Sequence, residues 1–263
     1  MRSAFAALLA ALLVLAACGD DDDAPPDSSP TLVSTPSATP SPTSPGDTPE
    51  PGTPGETDPP ANTEAPTDSP EETNPPATNV NLLTPVDKQH SLPADYVPPD
   101  LSPIPSAYLA PGFGGSLRTD ALGDMTAMLD AAYAENHDIR CRSAYRSYSE
   151  QESTFNYWVS VLGYEEATRV SAMPGHSEHQ LGSVCDLTSP EVGWDLLESF
   201  GTTAAGQWLV ARAHEYGFVL SYPEGQESVT GYSYEPWHWR YLGPAEAQAF
   251  EASGLTLNQY LLQ

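Results

Sequence analysis

Residues 19–79 constrain the fold of this chain more than any other stretch, because they can hardly fold at all. They are rich in proline, threonine and serine, and they contain thirteen acidic residues but no lysine, arginine or histidine. A segment with so little apolar surface cannot offset the entropy of ordering its backbone, and proline and like charges extend it. We therefore expect a disordered acidic tether, followed by a folded domain over residues 80–263.

Residues 1–18 have the composition of an export signal. A basic start, Met1-Arg2, precedes an apolar run from Ala4 to Val14 that is short for a membrane span. The following Leu15-Ala16-Ala17-Cys18 resembles the lipobox of bacterial lipoproteins. We expect cleavage before Cys18, lipid attachment to it, and a mature protein anchored at the outer face of the bacterial cell membrane. The alternative is an ordinary cleaved signal peptide with a chance cysteine, which also predicts export.

The remaining residues 80–263 have the length of a single domain. They carry 23 acidic and 8 basic residues. Because nucleic-acid binding needs a basic surface, this balance argues against nucleic acid as a partner. We expect a monomer whose acidity serves solubility.

Hydrophobic periodicity and turn residues predict an α+β fold. Helices are predicted over Thr119 to Asn136, from a capping box at Ser149 to Glu152 through Val161, and over Thr203 to Tyr216, before Gly217. Short β-rich segments predict strands at Ile139 to Ser143, Ser183 to Leu187, Phe218 to Tyr222 and Trp237 to Leu242. We expect one compact domain with a small, mainly antiparallel sheet flanked by helices and with its chemistry at the strand ends.

The segment His176-Ser177-Glu178-His179, which leads to Asp186, contains candidate metal ligands. A Pro-Gly pair precedes it and the order of residues is His-Ser-Glu-His, so a helical H-E-x-x-H site is excluded. His179 in the loop and Asp186 on the next strand can converge on one ion, because Gly182 permits a tight turn between them. His176 is the competing histidine. A lone histidine more often has a structural role, so this segment needs a partner motif.

The partner motif is Glu235-Pro236-Trp237-His238-Trp239-Arg240, about fifty residues further along the chain. Pro236 keeps Glu235 out of helical geometry, so a bend into a strand can point Glu235 and His238 into one cleft. Zinc hydrolases use such a set: three side chains hold the ion, water takes its open position, and an unligated carboxylate removes the proton of that water. The alternative is an aromatic core strand with a surface salt bridge. The two segments together favour a zinc peptidase.

The motifs Ser177-x-His179-x-x-Gly182-x-x-x-Asp186 and Glu235-Pro236-Trp237-His238-x-Arg240-Tyr241 resemble the two signatures of the VanY-type zinc D-alanyl-D-alanine carboxypeptidases. The stretch from Ser143 to Tyr148 is similar too, and the resemblance covers nearly all of residues 80–263 but none of the tether. It implies a Zn²⁺ enzyme that removes the C-terminal D-alanine from peptidoglycan stem peptides by direct attack of a zinc-bound water.

The resemblance also implies a role for individual residues. The zinc ligands would be His179, Asp186 and His238, the catalytic carboxylate Glu235, and the cation facing the scissile carbonyl Arg146. Near the terminal D-residue of the substrate would lie Ser147, Tyr148, Gln151 and Ser177. Ser221 and Gln226 stand where the family commonly has Arg and Lys, so substrate contacts in that loop differ from the family pattern.

Two alternative functions share these motifs. One is an L,D-carboxypeptidase that acts on the tetrapeptide stem, and the other is a non-catalytic lipoprotein of the same fold that binds the cell wall. The non-catalytic alternative predicts a missing ligand or a missing Glu235, and all of these residues are present. Specificity for the L,D bond depends on pocket shape, which the sequence does not provide.

The chain has three cysteines, and if Cys18 carries the lipid, Cys141 and Cys185 remain as a pair. An exported protein is exposed to oxidation, and each cysteine lies in a predicted strand near the proposed site. We predict a disulfide between them. Cys185 alternates with Asp186, so the bridge should face away from the metal. The alternative is two buried free thiols, which small apolar strand positions accept readily.

Overall fold

The computed structural model describes residues 76–263. The predicted signal peptide, Cys18 and residues 19–75 of the predicted tether lie outside the described residues. The α+β class predicted from the sequence is confirmed. The strands are β1 Leu101–Pro103, β2 Ser116–Arg118, β3 Arg140–Ser143, β4 Val184–Thr188, β5 Phe218–Leu220 and β6 His238–Tyr241. The α-helices are α1 Thr119–Ala134, α2 Tyr148–Leu162, α3 Tyr164–Val170, α4 Ala204–Arg212, α5 Glu227–Thr230, α6 Pro244–Ser253 and α7 Leu257–Leu261.

Four strands form the central sheet in the order β3-β4-β6-β5, and every pairing is antiparallel. The two inner strands, β4 and β6, are buried along their whole length. A second sheet consists of the antiparallel pair β1 and β2. Inner strands of an antiparallel sheet have their backbone bonds satisfied on both sides, so side chains on β4 and β6 are held in a fixed register.

The main core lies between one face of the central sheet and α1. The face of α1 toward the sheet is formed by apolar residues at helical spacing, which predicted this helix from the sequence. The residues buried in this core include Met125, Met128, Leu129, Cys141, Cys185, Leu187, Leu209, Phe218 and Trp239. The opposite face of β4 and β6 is therefore free to carry polar side chains.

Helix α2 begins two residues earlier than predicted. Its N-cap is Ser147, which accepts a hydrogen bond from the backbone of Glu150, while the Glu150 carboxylate accepts one from the backbone of Ser147. The prediction of a capping box opening at Ser149 was wrong, because Ser147 and Ser149 are each followed three residues later by glutamate. The α-helical part of the third predicted helix ends at Arg212, and a 3₁₀ turn, Ala213–Tyr216, completes it.

The segment before β1 packs under the loop that precedes β4. The backbone N–H of Ala77 donates to Ser91, and that of Leu92 donates to Gly175. Val86, Leu92 and Leu181 form a small apolar cluster at this contact. The first described residues are thus tied to the loop that carries His176 to His179. Among residues 76–263, no helix is both long and apolar enough to cross a membrane.

Candidate metal centre and active-site cleft

The pairing of β4 with β6 places Asp186 directly opposite His238. Directly opposed residues of an antiparallel pair have side chains on the same face, a few ångströms apart. The Oδ1 atom of Asp186 lies 3.3 Å from Nδ1 of His238, and both side chains are 5 % exposed. Two of the three predicted ligands are therefore brought together by strand register alone.

His179 reaches the same point from a 3₁₀ turn, Glu178–Leu181, that ends at Gly182 in the left-handed conformation with φ 69°. A Cβ atom at Gly182 would lie 2.9 Å from side-chain atoms of Leu101 and Pro98, so both the backbone angle and the space require glycine. The Nδ1 atom of His179 lies 2.6 Å from the carbonyl oxygen of Ala144. Its Nε2 atom faces Asp186 Oδ2 at 3.3 Å.

The donor set of these residues fits a metal ion. Ligand atoms of His179, Asp186 and His238 all lie within 4.8 Å of one another, and all three residues are buried. The Oδ1 atom of Asp186 is buried and has no hydrogen-bond partner among the described residues. A buried carboxylate oxygen without a partner is costly, and a cation would supply one. Two imidazoles and one carboxylate are ligands that zinc accepts, and three protein ligands leave a position open.

The charges of the ligands depend on one another. Burial alone would raise the pKa of Asp186, but the two histidines hold the pKa of that carboxyl well below its usual range. Burial lowers the pKa of His238, but the neighbouring carboxylates of Asp186 and Glu178 outweigh burial and raise the pKa to about 10. A metal ligand must release its proton before it binds, so a cation and a proton compete for this histidine.

Glu235 lies at the bend before β6, beside the ligands but more open to the cleft. Its backbone N–H donates to the carbonyl of Tyr222, and its own carbonyl accepts from the N–H of His238. The carboxylate oxygen Oε2 is 3.5 Å from Nδ1 of His238, and the side chain is 16 % exposed. Burial raises the pKa of Glu235 to about 7, against the opposing effect of His238. This carboxylate is placed to exchange a proton with a molecule in the cleft.

Arg146 faces the ligands from the wall of the cleft that leads into α2. Its guanidinium donates to the side-chain oxygen of Gln151 at 3.0 Å. Gln151 is buried, and its amide nitrogen donates in turn to the carbonyl of Ala172 at 2.6 Å. Arg146 lines the cleft, and its guanidinium is held by a glutamine that is itself fixed to the backbone.

The cleft has a volume of about 380 Å³, within the range of small-molecule sites. Its lining includes the predicted residues Arg146, Gln151, Ser177, His179, Asp186, Glu235 and His238. It also includes residues that the sequence did not suggest, among them Thr154, Trp158, Tyr222, Tyr232, Tyr234 and Trp237. Ser147 and Tyr148 are not among the lining residues. Ser147 instead caps α2, so the substrate contacts predicted for these two residues stay predictions.

His176 lies outside the donor set. Its ring is buried, and Nδ1 lies 2.6 Å from the carbonyl oxygen of Asp87. The backbone of the same turn is held by the N–H of His176 donating to Met173. Its contacts tie the loop to the segment before β1, a structural role that agrees with its position next to a Pro-Gly turn.

Glu178 and Arg240 were not predicted as site residues. The Glu178 carboxylate lies 3.0 Å from Nε2 of His238 and 2.6 Å from the Arg240 guanidinium. Burial raises the pKa of Glu178, but Arg240 and His238 bring it down to about 2. The sequence held one signal: His238 and Arg240 share a face of a buried strand, and a buried arginine needs an acidic partner.

The two cysteines of the folded part are joined in the structure. Cys141 on β3 and Cys185 on β4 form a disulfide with a Cα–Cα distance of 6.0 Å. Both lie in the apolar core on the α1 side of the sheet. The bridge therefore lies behind Asp186, on the face opposite the cleft.

The geometry of the site is characteristic of one class of protein. A cleft that ends in a buried His-Asp-His set, with a free carboxylate and an arginine beside it, is the arrangement of a metal-dependent hydrolase. Residues 114–244 match the model of the VanY family, D-alanyl-D-alanine carboxypeptidase. The chain belongs to this family and is a metallo-carboxypeptidase.

Individual relatives agree with the family. YodJ of Bacillus subtilis (strain 168) is 40% identical over 185 residues, which cover 68% of this chain and 67% of YodJ. The structure of the LD-carboxypeptidase LdcB is similar with a TM-score of 0.63 and 39% identity, over 67% of this chain and 84% of LdcB. The structure of a mutant of the D,D-pentapeptidase VanY in complex with Zn(II) is similar with a TM-score of 0.56 and 28% identity, over 68% of this chain and 98% of VanY.

Proposed function

We propose that this chain uses zinc to remove the C-terminal D-alanine from peptidoglycan stem peptides. The observation that carries the proposal is the buried set of His179, Asp186 and His238 with Glu235 beside it. A metal-binding fold without turnover would need the three ligands but not the free carboxylate. Family membership and the Zn(II) complex of VanY support the choice of substrate class and metal.

Glu235 is the proposed general base and acid. When zinc is bound, it supplies a Lewis acid that activates water and polarises a carbonyl oxygen. Glu235 takes a proton from the attacking water and later delivers it to the departing amine of D-alanine. Its partial exposure, compared with the buried ligands, lets it reach both positions. Hydrolysis is direct, so no serine of the cleft needs to act as a nucleophile.

Arg146 is proposed to stabilise the negative charge that develops on the scissile carbonyl oxygen. A guanidinium that is already oriented needs little reorganisation when the charge appears. Gln151 provides this orientation, because it is itself fixed to the backbone at Ala172. Ser177, buried at the edge of the cleft, is a proposed neighbour of the terminal D-residue.

The test is a digestion of synthetic stem pentapeptide by the zinc-loaded full chain. We expect release of one D-alanine and a tetrapeptide product, identified by mass and by a stereospecific D-amino-acid assay. The Glu235→Gln variant is the matched control, since it keeps the shape of the side chain without the base. Absence of any product from pentapeptide or tetrapeptide would contradict a carboxypeptidase role.

A second candidate is an L,D-carboxypeptidase that acts on the tetrapeptide stem. The similarity to LdcB, with 39% identity and a TM-score of 0.63, favours it. The same catalytic residues would serve, since both reactions release a C-terminal D-alanine and differ in the residue that precedes the scissile bond. Cleavage of tetrapeptide to tripeptide, with pentapeptide left intact, would select this candidate over the first.

We also propose that the enzyme is exported and anchored through a lipid on Cys18, which would place it beside its substrate. A tether of about sixty residues in a coil-like state reaches a few tens of ångströms, enough to act within a cell wall. In a bacterial host, we expect the chain to partition into the detergent phase and Cys18→Ala to shift it to the aqueous phase. Equal partitioning of the two would contradict the anchor.

A further inference from the structure

The two metal histidines present opposite ring nitrogens to the site. His179 directs Nε2 toward Asp186, while its Nδ1 is held by the backbone carbonyl of Ala144. His238 directs Nδ1 toward Asp186 and Glu235, while its Nε2 contacts the Glu178 carboxylate at 3.0 Å. Which nitrogen can bind a metal is decided by the hydrogen bond that the other nitrogen makes.

Glu178 is built into the interior. Its side chain is 4 % exposed, and that of Arg240 is 0 % exposed. The second oxygen of Glu178 accepts from Arg240 at 2.6 Å. The other terminal nitrogen of Arg240 donates to the carbonyls of Leu82 at 2.9 Å and Thr84 at 2.7 Å. With one oxygen held by Arg240, the other oxygen of Glu178 faces Nε2 of His238.

We propose that Glu178 is a positioning residue that keeps the proton of His238 on Nε2 and so reserves Nδ1 for the metal. The inference rests on the proposed metal site and adds a residue to it. In this role Glu178 acts through His238 and not on the substrate. Arg240 and the carbonyls of Leu82 and Thr84 supply the charge and the rigidity that a buried carboxylate needs.

The alternative is that Glu178 and Arg240 form an ion pair that serves only to stabilise the fold. The Glu178→Gln variant distinguishes this structural role from the positioning role. Arg240 can only donate, whereas Nε2 of His238 can also accept, so we expect the glutamine oxygen to face Arg240 and its amide group to face His238. If the amide group faces His238, it donates to Nε2 and favours the tautomer with the proton on Nδ1. That tautomer cannot bind the ion through Nδ1. A purely structural pair predicts lower stability with no change at the ring.

The experiment uses the full chain and measures zinc affinity by competition with a chromophoric chelator. We expect Glu178→Gln to bind zinc about 10- to 100-fold more weakly, the range for groups that hydrogen-bond a metal-bound histidine. Asp124→Asn is the matched control, because Asp124 accepts a hydrogen bond from Tyr241 at the other end of β6. We expect this control to keep the affinity of the wild type. A folded Glu178→Gln chain with unchanged affinity would overturn the proposal.

A measurement on the wild type keeps the proposal testable if the variant does not fold. The chain is labelled with ¹⁵N-histidine and loaded with ¹¹³Cd²⁺, and metal–nitrogen couplings are read by NMR. We expect coupling at Nδ1 of His238 and Nε2 of His179, with a proton retained on Nε2 of His238. Coupling at Nε2 of His238 would overturn the proposal. Failure of the wild type to bind zinc or cadmium would instead refute the proposed metal site itself.

Discussion

The two sides of the cleft are held by different kinds of contact. The ligand side, formed by His179, Asp186, Glu235 and His238, rests on the paired inner strands and the loops that enter them. The helix side, formed by Arg146, Gln151, Thr154 and Trp158, lies at the start of α2 and along its face. The three proposed metal ligands are buried, whereas Arg146, Thr154 and Trp158 are only partly buried.

We expect the ligand side to determine the reaction and the helix side to determine how the peptide binds. Register and buried hydrogen bonds fix the ligand side, so a change there should abolish the reaction or the metal. The helix side is held by one chain of side-chain bonds through Gln151, and a helix face tolerates substitution. We expect changes on the helix side to alter binding and orientation of the peptide while the metal stays in place.

The largest effect should come from His179→Ala. Removing one of three ligands should reduce the bound zinc from one per chain to none and abolish peptide hydrolysis. His176→Ala and His214→Ala are the matched controls, because neither residue belongs to the donor set. Metal analysis of the dialysed proteins checks this. Undiminished zinc in His179→Ala would refute the ligand assignment.

Arg146→Lys should have a smaller effect than the loss of a ligand, and one on kcat more than on zinc content. An ammonium offers a different donor geometry from a guanidinium, and loss of one oriented charge donor costs roughly 10²-fold in kcat. Arg142→Lys, four residues earlier and outside the lining of the cleft, should leave kcat unchanged. Steady-state kinetics with zinc measured in parallel gives the answer. Equal kcat in Arg146→Lys and the wild type would remove this residue from the mechanism.

Trp158→Ala should have a smaller effect and one of a different kind. Trp158 lines the cleft far along α2, so its loss should remove apolar contact with the peptide in both ground and transition states. Such uniform binding raises KM and leaves kcat nearly unchanged, here by about 5- to 20-fold in KM. Asn156→Ala, exposed on the same helix, is the control. A fall in kcat without a change in KM would place Trp158 with the chemical residues instead.

The smallest effect on activity should come from replacing both Cys141 and Cys185 by alanine. The bridge spans a sequence separation of 44 and lies behind the ligand side. Its loss should lower the free energy of unfolding by about 2–4 kcal/mol, a fall of roughly 5 to 15 °C in Tm for a domain of this size. Calorimetry measures this, and zinc content should not change. Two free thiols in the denatured, unreduced domain of residues 80–263, which lacks Cys18, would rule the bridge out.

The ligand side could be predicted from the sequence to a far greater extent than the helix side. His179, Asp186, Glu235 and His238 occur in two short motifs whose residue types suit zinc chemistry, and the structure brings the four together. The strands that carry Asp186 and His238 were also predicted, with each end within one residue. Local pattern and local chemistry were enough for this half of the cleft.

The contact between Glu178 and Arg240 could not be predicted from local pattern, because the two residues are 62 positions apart. A glutamate between two histidines has no feature that shows it to be buried. The predicted start of α2 was wrong for a different reason: Ser147 and Ser149 both satisfy the capping pattern, so the pattern alone does not choose between them. Trp158 and Tyr234 join the cleft only through packing, so no motif marks them.

The central claim is that Glu235 serves the chemistry and is not needed to hold the metal, which His179, Asp186 and His238 bind without it. The most direct test is Glu235→Gln, with zinc content and hydrolysis of stem peptide measured on the same preparation. We predict that zinc remains at one per chain and that kcat falls by about 10²- to 10⁴-fold, because the base is lost while the side-chain shape is kept. A zinc-loaded Glu235→Gln chain with turnover near that of the wild type would contradict the account.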